Sequence, residues 1–333
     1  MQDYDYGLPE AAIAQVPAEP RDSARLLVCI GADAVGIDHR VSELDTLLAP
    51  GDLLVVNDTR VIPARLRLRK ETGGEAEVLL LEPAESGPDE WVALVRPGRR
   101  LPEGTVLVDG DGQPLVVIGA RRGDGGTRRV RLLAEPWAAG EVPLPPYLHH
   151  GIADAERYQT VYAAHPGSVA APTAGLHLTH DLLERCRQRG IGFATVDLTV
   201  GLDTFRPVIV DDPADHVIHT EAYRVDATVW EACQRTRASG GRVVAVGTTT
   251  VRALESVAAT GGLAGRTDLY IRAPYPFAVV DLLLTNFHLP RSTLLLLVEA
   301  FAGPRWRALY RQALDGGYRF LSFGDAMLLG RGA

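Results

Sequence analysis

Arg242-Val-Val-Ala-Val-Gly247-Thr248-Thr249-Thr250-Val-Arg252-Ala-Leu-Glu255 is the stretch on which the reading of the fold turns. Val243 to Val246 is an apolar, β-branched run and reads as a buried strand. Gly247 ends it. Three threonines follow, any of which can cap a helix, and Val251, Leu254, Glu255 and Ala258 continue at helical spacing. A strand, a glycine turn and a helix start aim free N–H groups and the positive helix end at one spot. Such a spot suits a carboxylate or a phosphate. An ordinary capped βα turn has the same signature, so other parts of the chain must decide.

Val279-Val-Asp281-Leu-Leu-Leu-Thr285-Asn286-Phe287-His288-Leu-Pro290-Arg291-Ser292-Thr293 repeats the pattern. A second buried strand ends in Thr, Asn, His, Arg and Ser. Upstream, Pro50-Gly51 launches a third, Leu53 to Val56, which ends in Asn57-Asp58-Thr59-Arg60. Open α/β sheets bind ligands at the carboxyl ends of their strands. Several polar-tipped strands therefore carry more weight than one.

The chain has 333 residues, enough for two domains. With 46% hydrophobic and 23% charged residues it has the make-up of a globular protein. No apolar run reaches membrane-spanning length, and Met1-Gln-Asp-Tyr-Asp-Tyr6 has no signal-peptide pattern, so a cytoplasmic location is expected. Cys29, Cys186 and Cys233 have neither disulfide nor metal spacing. The net charge of −8 speaks against a nucleic-acid-binding surface over the whole chain. Yet Lys70 is the only lysine, and arginine, the dominant cation, favours forked phosphate contacts.

The start of the chain predicts a short helix at Leu8–Gln15 and a salt-bridged corner of Arg21, Asp22 and Arg25. From Arg65 to about Leu144 the period changes. Arg65-Leu-Arg67-Leu-Arg69 alternates, and short strands follow at Glu75–Leu80, Trp91–Val95, Val106–Val108, Leu115–Ile118 and Arg129–Leu133. Turns of Gly, Pro and Asp separate them, which predicts a small antiparallel barrel. Its arginines (Arg65, Arg67, Arg69, Arg99, Arg100, Arg128, Arg129 and Arg131) are expected to face outward. The fold class is thus an α/β main domain with a mixed sheet, and a small antiparallel β-barrel inserted in it. The boundaries are 1–58 plus 148–333 for the discontinuous α/β domain and 59–147 for the insert.

Tyr158-Gln-Thr-Val-Tyr162 and Pro166-Gly-Ser168-Val-Ala-Ala-Pro172-Thr173-Ala-Gly175-Leu-His177 read as a tightly shaped loop beside a ligand. His177 is either a general base or a packed core histidine. Helices are expected at Leu182–Arg189, Thr228–Ala238, Leu294–Phe301 and Trp306–Leu314, and a last strand over Tyr318–Leu329. His216, His219 and Glu221 raise a metal site, but Val217 and Ile218 fit a strand as easily as a helix, no further partner is fixed locally, and no metal is expected.

Taken together these motifs resemble the S-adenosylmethionine:tRNA ribosyltransferase-isomerases of queuosine biosynthesis. The strongest pieces are Arg21-Asp-Ser-Ala-Arg-Leu-Leu27, Gly51 to Arg60, Tyr158 to Tyr162, Ser168 to His177, Ala245 to Glu255, Thr285 to Leu294 and Phe323-Gly-Asp-Ala-Met327. The resemblance spans nearly the whole chain. It implies a barrel inserted in an α/β domain, and transfer of the ribosyl part of S-adenosylmethionine to the 7-aminomethyl-7-deazaguanine base of a tRNA anticodon. Epoxyqueuosine forms, and adenine and methionine leave. S-adenosylmethionine is then a consumed co-substrate, with no resident cofactor and tRNA as partner; a monomer is expected.

That chemistry assigns roles. His177, His288 and Glu221 are candidates for the base that removes a proton beside the sulfonium. Asp281, Asn286 or Thr285 would serve the leaving adenine. Gly247, Thr248 and Thr249 would take the methionine carboxylate, and Arg60, Arg206, Arg252 and Arg291 would hold anions in forked pairs. Tyr158, Tyr162 or Phe287 would stack on the extruded base. Asn57, Asp58, Ser168 and Thr173 complete the expected binding residues. The chain departs from the family pattern at Thr199, where histidine is usual, at Asp203, where glycine is usual, at Leu178, where phenylalanine is usual, and at Ala273-Pro-Tyr275, where Pro-Gly-Tyr is usual. Two other readings follow from this: the same chemistry on a free deazapurine or small amine, or a degenerate homologue that binds RNA or nucleoside without turnover.

Overall fold

The computed structural model describes residues 1–31, 35–84, 86–98, 100–122, 126–152, 154–201, 210–216, 218, 220 to 332. Arg99, Asp203, Arg206 and His219 lie outside the described residues. The chain divides into two compact units: Met1–Thr59, Pro146–His165 and Ala171–Ala333 in the first, Arg60–Pro145 and Pro166–Ala170 in the second.

In chain order the strands begin with β1 (Arg25–Cys29), β2 (Ile37–Arg40), β3 (Leu53–Asn57) and β4 (Thr59–Val61). The insert supplies β5 (Arg65–Lys70), β6 (Glu75–Pro83), β7 (Glu90–Arg96), β8 (Val106–Val108), β9 (Pro114–Arg122), β10 (Thr127–Leu132) and β11 (Gly140–Glu141). The rest are β12 (His165–Ser168), β13 (Gly192–Leu198), β14 (Glu221–Arg224), β15 (Val243–Val246), β16 (Ala264–Thr267), β17 (Leu282–Asn286) and β18 (Ala326–Gly330). The helices are α1 (Leu44–Leu47), α2 (His180–Gln188), α3 (Ala227–Ala238), α4 (Thr248–Thr260), α5 (Thr293–Ala302) and α6 (Trp306–Asp315).

The main sheet has nine strands in the order β16-β14-β13-β3-β15-β17-β18-β1-β2. The run β13, β3, β15, β17 is parallel, so four carboxyl ends share one edge. β18 is antiparallel to β17 and parallel to β1, which brings the amino ends of β18 and β1 to that same edge. The central strands are buried along their whole length, and apolar up to the polar carboxyl ends of β3 and β17, because both faces are covered. On one face Leu182, Leu183 and Cys186 of α2 pack on Leu54 and Val56.

The second unit closes a six-stranded antiparallel barrel, β5-β6-β7-β10-β9-β8, with β8 pairing back on β5. Leu66, Val78, Ala93, Ile118 and Val130 fill it, and alternate residues face out as period two requires. Arg128 corrects the outward expectation. Arg129 and Arg131 are exposed, so their neighbour Arg128 turns inward with Val130. Its guanidinium donates to the carbonyls of Gly119 and Leu101, and burial lowers its pKa.

Three further expectations are revised. Residues Glu10–Ala12 form a single 3-10 turn where a helix was expected. The corner at Arg21 is not a mutual salt bridge: Arg21 donates to the carbonyls of Glu156, Gln159 and Leu176, Asp22 accepts from Thr179, and Arg25 pairs with Asp38. The final strand is shorter than expected, because Asp325 folds back to accept the N–H groups of Arg25 and Arg319 before β18 starts.

Candidate active site

The carboxyl edge of the parallel strands gathers most of the candidate residues of the first unit. Asn57, at the end of β3, is fully buried. Its Nδ2 donates to the Leu198 carbonyl at 2.9 Å and to Thr249 Oγ1 at 3.2 Å, while Oδ1 accepts from the N–H groups of Thr59 and Leu198. One amide thus ties β3, β13 and the start of α4. With every capacity used, Asn57 holds the site together and has no group left for a ligand.

Gly247 has φ +87°, a conformation that favours glycine. It serves as N-cap without a side-chain cap, so none of the three threonines caps α4. Thr250 turns back to the Val246 carbonyl instead, and Thr249 receives Asn57. The positive end of a 13-residue helix therefore opens on the sheet edge with its first N–H groups uncapped by side chains.

Asn286, at the end of β17, accepts from Thr173 Oγ1 at 3.0 Å. Its Nδ2 donates to the Asp325 carbonyl at 3.3 Å and faces His177 Nε2 at 3.1 Å. A carbonyl can only accept, so the amide orientation is fixed and Nε2 of His177 must be the acceptor. The ring proton sits on Nδ1. Burial, aided by Arg319 and Arg157, pushes the His177 pKa down to about 4. His288 is similar: buried, with Nε2 3.0 Å from Thr285 Oγ1, its pKa is pushed down to about 3 by burial. Its main chain is held by Tyr310 and Tyr6. Both histidines have the environment of neutral structural groups.

Glu221, at the head of β14, is 6% exposed. It pairs with Arg252 of α4 and accepts the Gly201 N–H at 2.9 Å. Arg252 also donates to the Leu269 carbonyl. The pair borders a small cleft of about 30 Å³ whose walls include Tyr270, Ile271, Thr293 and Leu297. Arg291 lies two residues before Thr293. Its φ is +55° and its buried Nε has no partner.

Six candidates are placed elsewhere. Asp281 stands at the amino end of β17, the far end of the strand from Asn286. There it accepts the Val243 N–H and pairs with Arg331 and Arg237. Its role toward adenine is therefore withdrawn. Phe287 is fully buried and stacked on Phe320, with rings 4.6 Å apart, and cannot be a stacking platform. Tyr158 is likewise buried, edge-on to Phe323. Tyr162 lies edge-on to Phe193, and its hydroxyl fills the space where a side chain at Gly175 would project. Arg60 and Ser168 belong to the second unit, where Ser168 Oγ donates to the Ala170 carbonyl.

Sequence reading missed three groups. Glu255 of α4 is fully buried and accepts the N–H groups of Ala278, Val279 and Val280, pinning the entry to β17. His165 and Asp197 flank Asp58, with His165 Nδ1 3.0 Å from Asp58 Oδ1. Among the described residues no group of three or more His, Cys, Asp or Glu side chains is placed to hold a metal ion.

Fold and site define an α/β protein whose candidate ligand site lies at the carboxyl edge of a parallel sheet segment and which carries a closed β-barrel as an insert. A family model described as queuosine biosynthesis protein matches residues 1–329, and the chain belongs to that family. S-adenosylmethionine:tRNA ribosyltransferase-isomerase of Gloeobacter violaceus is 52% identical, over 99% of this chain and 96% of that one. The Thermus thermophilus enzyme of the same name is 50% identical over 99% of both chains. A crystal structure of S-adenosylmethionine tRNA ribosyltransferase from Thermotoga maritima is similar with a TM-score of 0.57 and 38% identity, covering 98% of this chain and 99% of that chain.

Proposed function

We propose that this protein transfers and isomerises the ribosyl moiety of S-adenosylmethionine onto the 7-aminomethyl-7-deazaguanine base of tRNA, giving epoxyqueuosine and releasing adenine and methionine. The observation that carries the reading is full-length membership of the queuosine family, with relatives about half identical that bear the name of this activity. The convergence of Asn57, Gly247 to Thr249, Thr173, His177 and Asn286 on one sheet edge supports it.

S-adenosylmethionine is consumed as a co-substrate. Its carboxylate is assigned to the uncapped start of α4, where helix dipole and N–H groups both favour an anion. The unpartnered Nε of Arg291 suits a second anion, a phosphate of the tRNA. Of the three base candidates, His177 and His288 are buried and engaged through Nε2 within the fold. Glu221 lines a cleft and is assigned the base role, with Arg252 orienting it. The adenine leaving group falls to Asn286 and Thr285. The protein is expected to act as a cytoplasmic monomer.

Incubation with S-adenosylmethionine and tRNA bearing the aminomethyl base tests this. Adenine release together with the mass gain of the ribosyl-derived ring on the tRNA base is the expected result. Adenine release without that mass gain would reject tRNA as acceptor.

A further inference from the structure

Asp58 follows β3 directly, and Asp197 is the last residue but one of its parallel neighbour β13. The register Val196↔Asn57 brings both carboxylates to the ligand edge. Asp58 is 5% exposed. Its side-chain hydrogen-bond partner is His165, whose Nδ1 lies 3.0 Å from Oδ1. The other ring nitrogen of His165 accepts from Arg224 Nη2 at 3.2 Å. Nδ1 therefore carries the proton, and the ring is neutral in this arrangement.

Asp197 is the unusual member. Its Oδ1 is buried and has no hydrogen-bond partner. Arg224 is its cross-strand neighbour, yet the Arg224 guanidinium goes to His165 and forms no ion pair with Asp197 among the described residues. Burial raises the Asp197 pKa; Asp58 adds to the rise, while His165 and Arg224 work against it. The charge of Asp58 also acts on the buried Tyr162 hydroxyl, whose pKa is raised by burial first and by Asp58 second. A half-buried carboxylate without a donor is costly unless something arrives to satisfy it.

We propose that Asp58 and Asp197 form a receptor for a primary ammonium group, the aminomethyl group of the acceptor base, with His165 and Arg224 as positioning residues. The proposal rests on the function proposed above. An ammonium supplies the N–H donors that the unpaired oxygens lack, and its charge balances two adjacent carboxylates. The sulfonium of S-adenosylmethionine has no N–H to donate. Its amino group carries a carboxylate beside it, which two aspartates would repel. The aminomethyl group of the base has no anion attached to the same carbon.

The test compares binding of two tRNAs, one bearing the aminomethyl base and one bearing the neutral nitrile in its place. The wild-type protein should prefer the ammonium form at least tenfold. Asp197→Asn and Asp58→Asn, which preserve shape, should each abolish that preference while the affinity for S-adenosylmethionine stays within about twofold. In the wild type the preference should also fade as pH is lowered and Asp197 takes up a proton, a readout that needs no variant. A preference that persists in Asp197→Asn, or a loss of S-adenosylmethionine affinity in its place, overturns the proposal. Adenine release by the wild type separates the two levels. If it is absent, the proposed function fails; if it is present with the preference unmoved by substitution, only the ammonium receptor fails.

Discussion

Two buried side chains set what the edge of the sheet can do. Asn57 makes four hydrogen bonds across β3, β13 and α4. Asn57→Ala leaves several of those partners buried and unpaired, so a loss of about 2–4 kcal/mol is expected in denaturant unfolding. His177 is neutral in the fold with a pKa near 4, against 6.5 when exposed. Its contribution to stability is complete above pH 6.5 and is lost as pH falls toward 4, because only the unfolded chain then binds the proton. The loss is about 3 kcal/mol over that window. His177→Gln should flatten the acid side of the stability–pH curve; an unchanged slope contradicts a neutral His177. Glu221→Gln should lower the rate of adenine release by about a hundredfold or more with S-adenosylmethionine still bound. An activity within tenfold of wild type moves the base elsewhere. At this scale the sequence shows residue types but not partners. Asp58 and His165 are 107 positions apart, and no periodicity links them. Asp281 precedes β17 and Asn286 ends it, and the strand's length puts them at opposite edges of the sheet.

Strands and helices with a clear period were legible. Val243 to Val246 is a strand as its β-branched run predicts, and α3, α5 and α6 fall where helical spacing ends at Gly or Pro. The 3-10 turns were not legible. Arg21–Ser23 and Thr173–His177 are held by long-range bonds from the Arg21 guanidinium, with no propensity of their own to announce them. The cap of α4 was misassigned for a related reason: Thr249 and Thr250 are drawn away by Asn57 and Val246. Gly247 is the element's hinge point. A Cβ there would meet neighbours only at 3.7 and 3.8 Å, so space is available, but φ +87° is not. Gly247→Ala is expected to cost about 1–3 kcal/mol through backbone strain and to weaken S-adenosylmethionine binding by tilting the first N–H groups. Calorimetry on folded variant reads both; unchanged affinity detaches the carboxylate from the helix start.

Over the whole molecule, the division into an α/β unit and a barrel follows from a change of period, 3.6 and buried runs outside, strict alternation inside. Alternation also places most of the barrel arginines, and Arg128 shows its rule more faithfully than a list of basic residues does. The chain carries a net charge of −8 while its proposed substrate is a polyanion. Binding of tRNA must therefore rest on local cations such as Arg67, Arg69, Arg129 and Arg131, which are exposed on alternate positions. Changing two of these to Glu should weaken tRNA binding and reduce its salt dependence, with S-adenosylmethionine affinity unchanged. In the proposed reaction one sheet edge transfers a ribosyl group to a tRNA base. The measurement that tests it most directly is adenine release by the intact protein, paired with the mass of the base in the recovered tRNA. One adenine per modified base and the mass of epoxyqueuosine are expected. Bound S-adenosylmethionine with neither adenine release nor a change in the tRNA would contradict it.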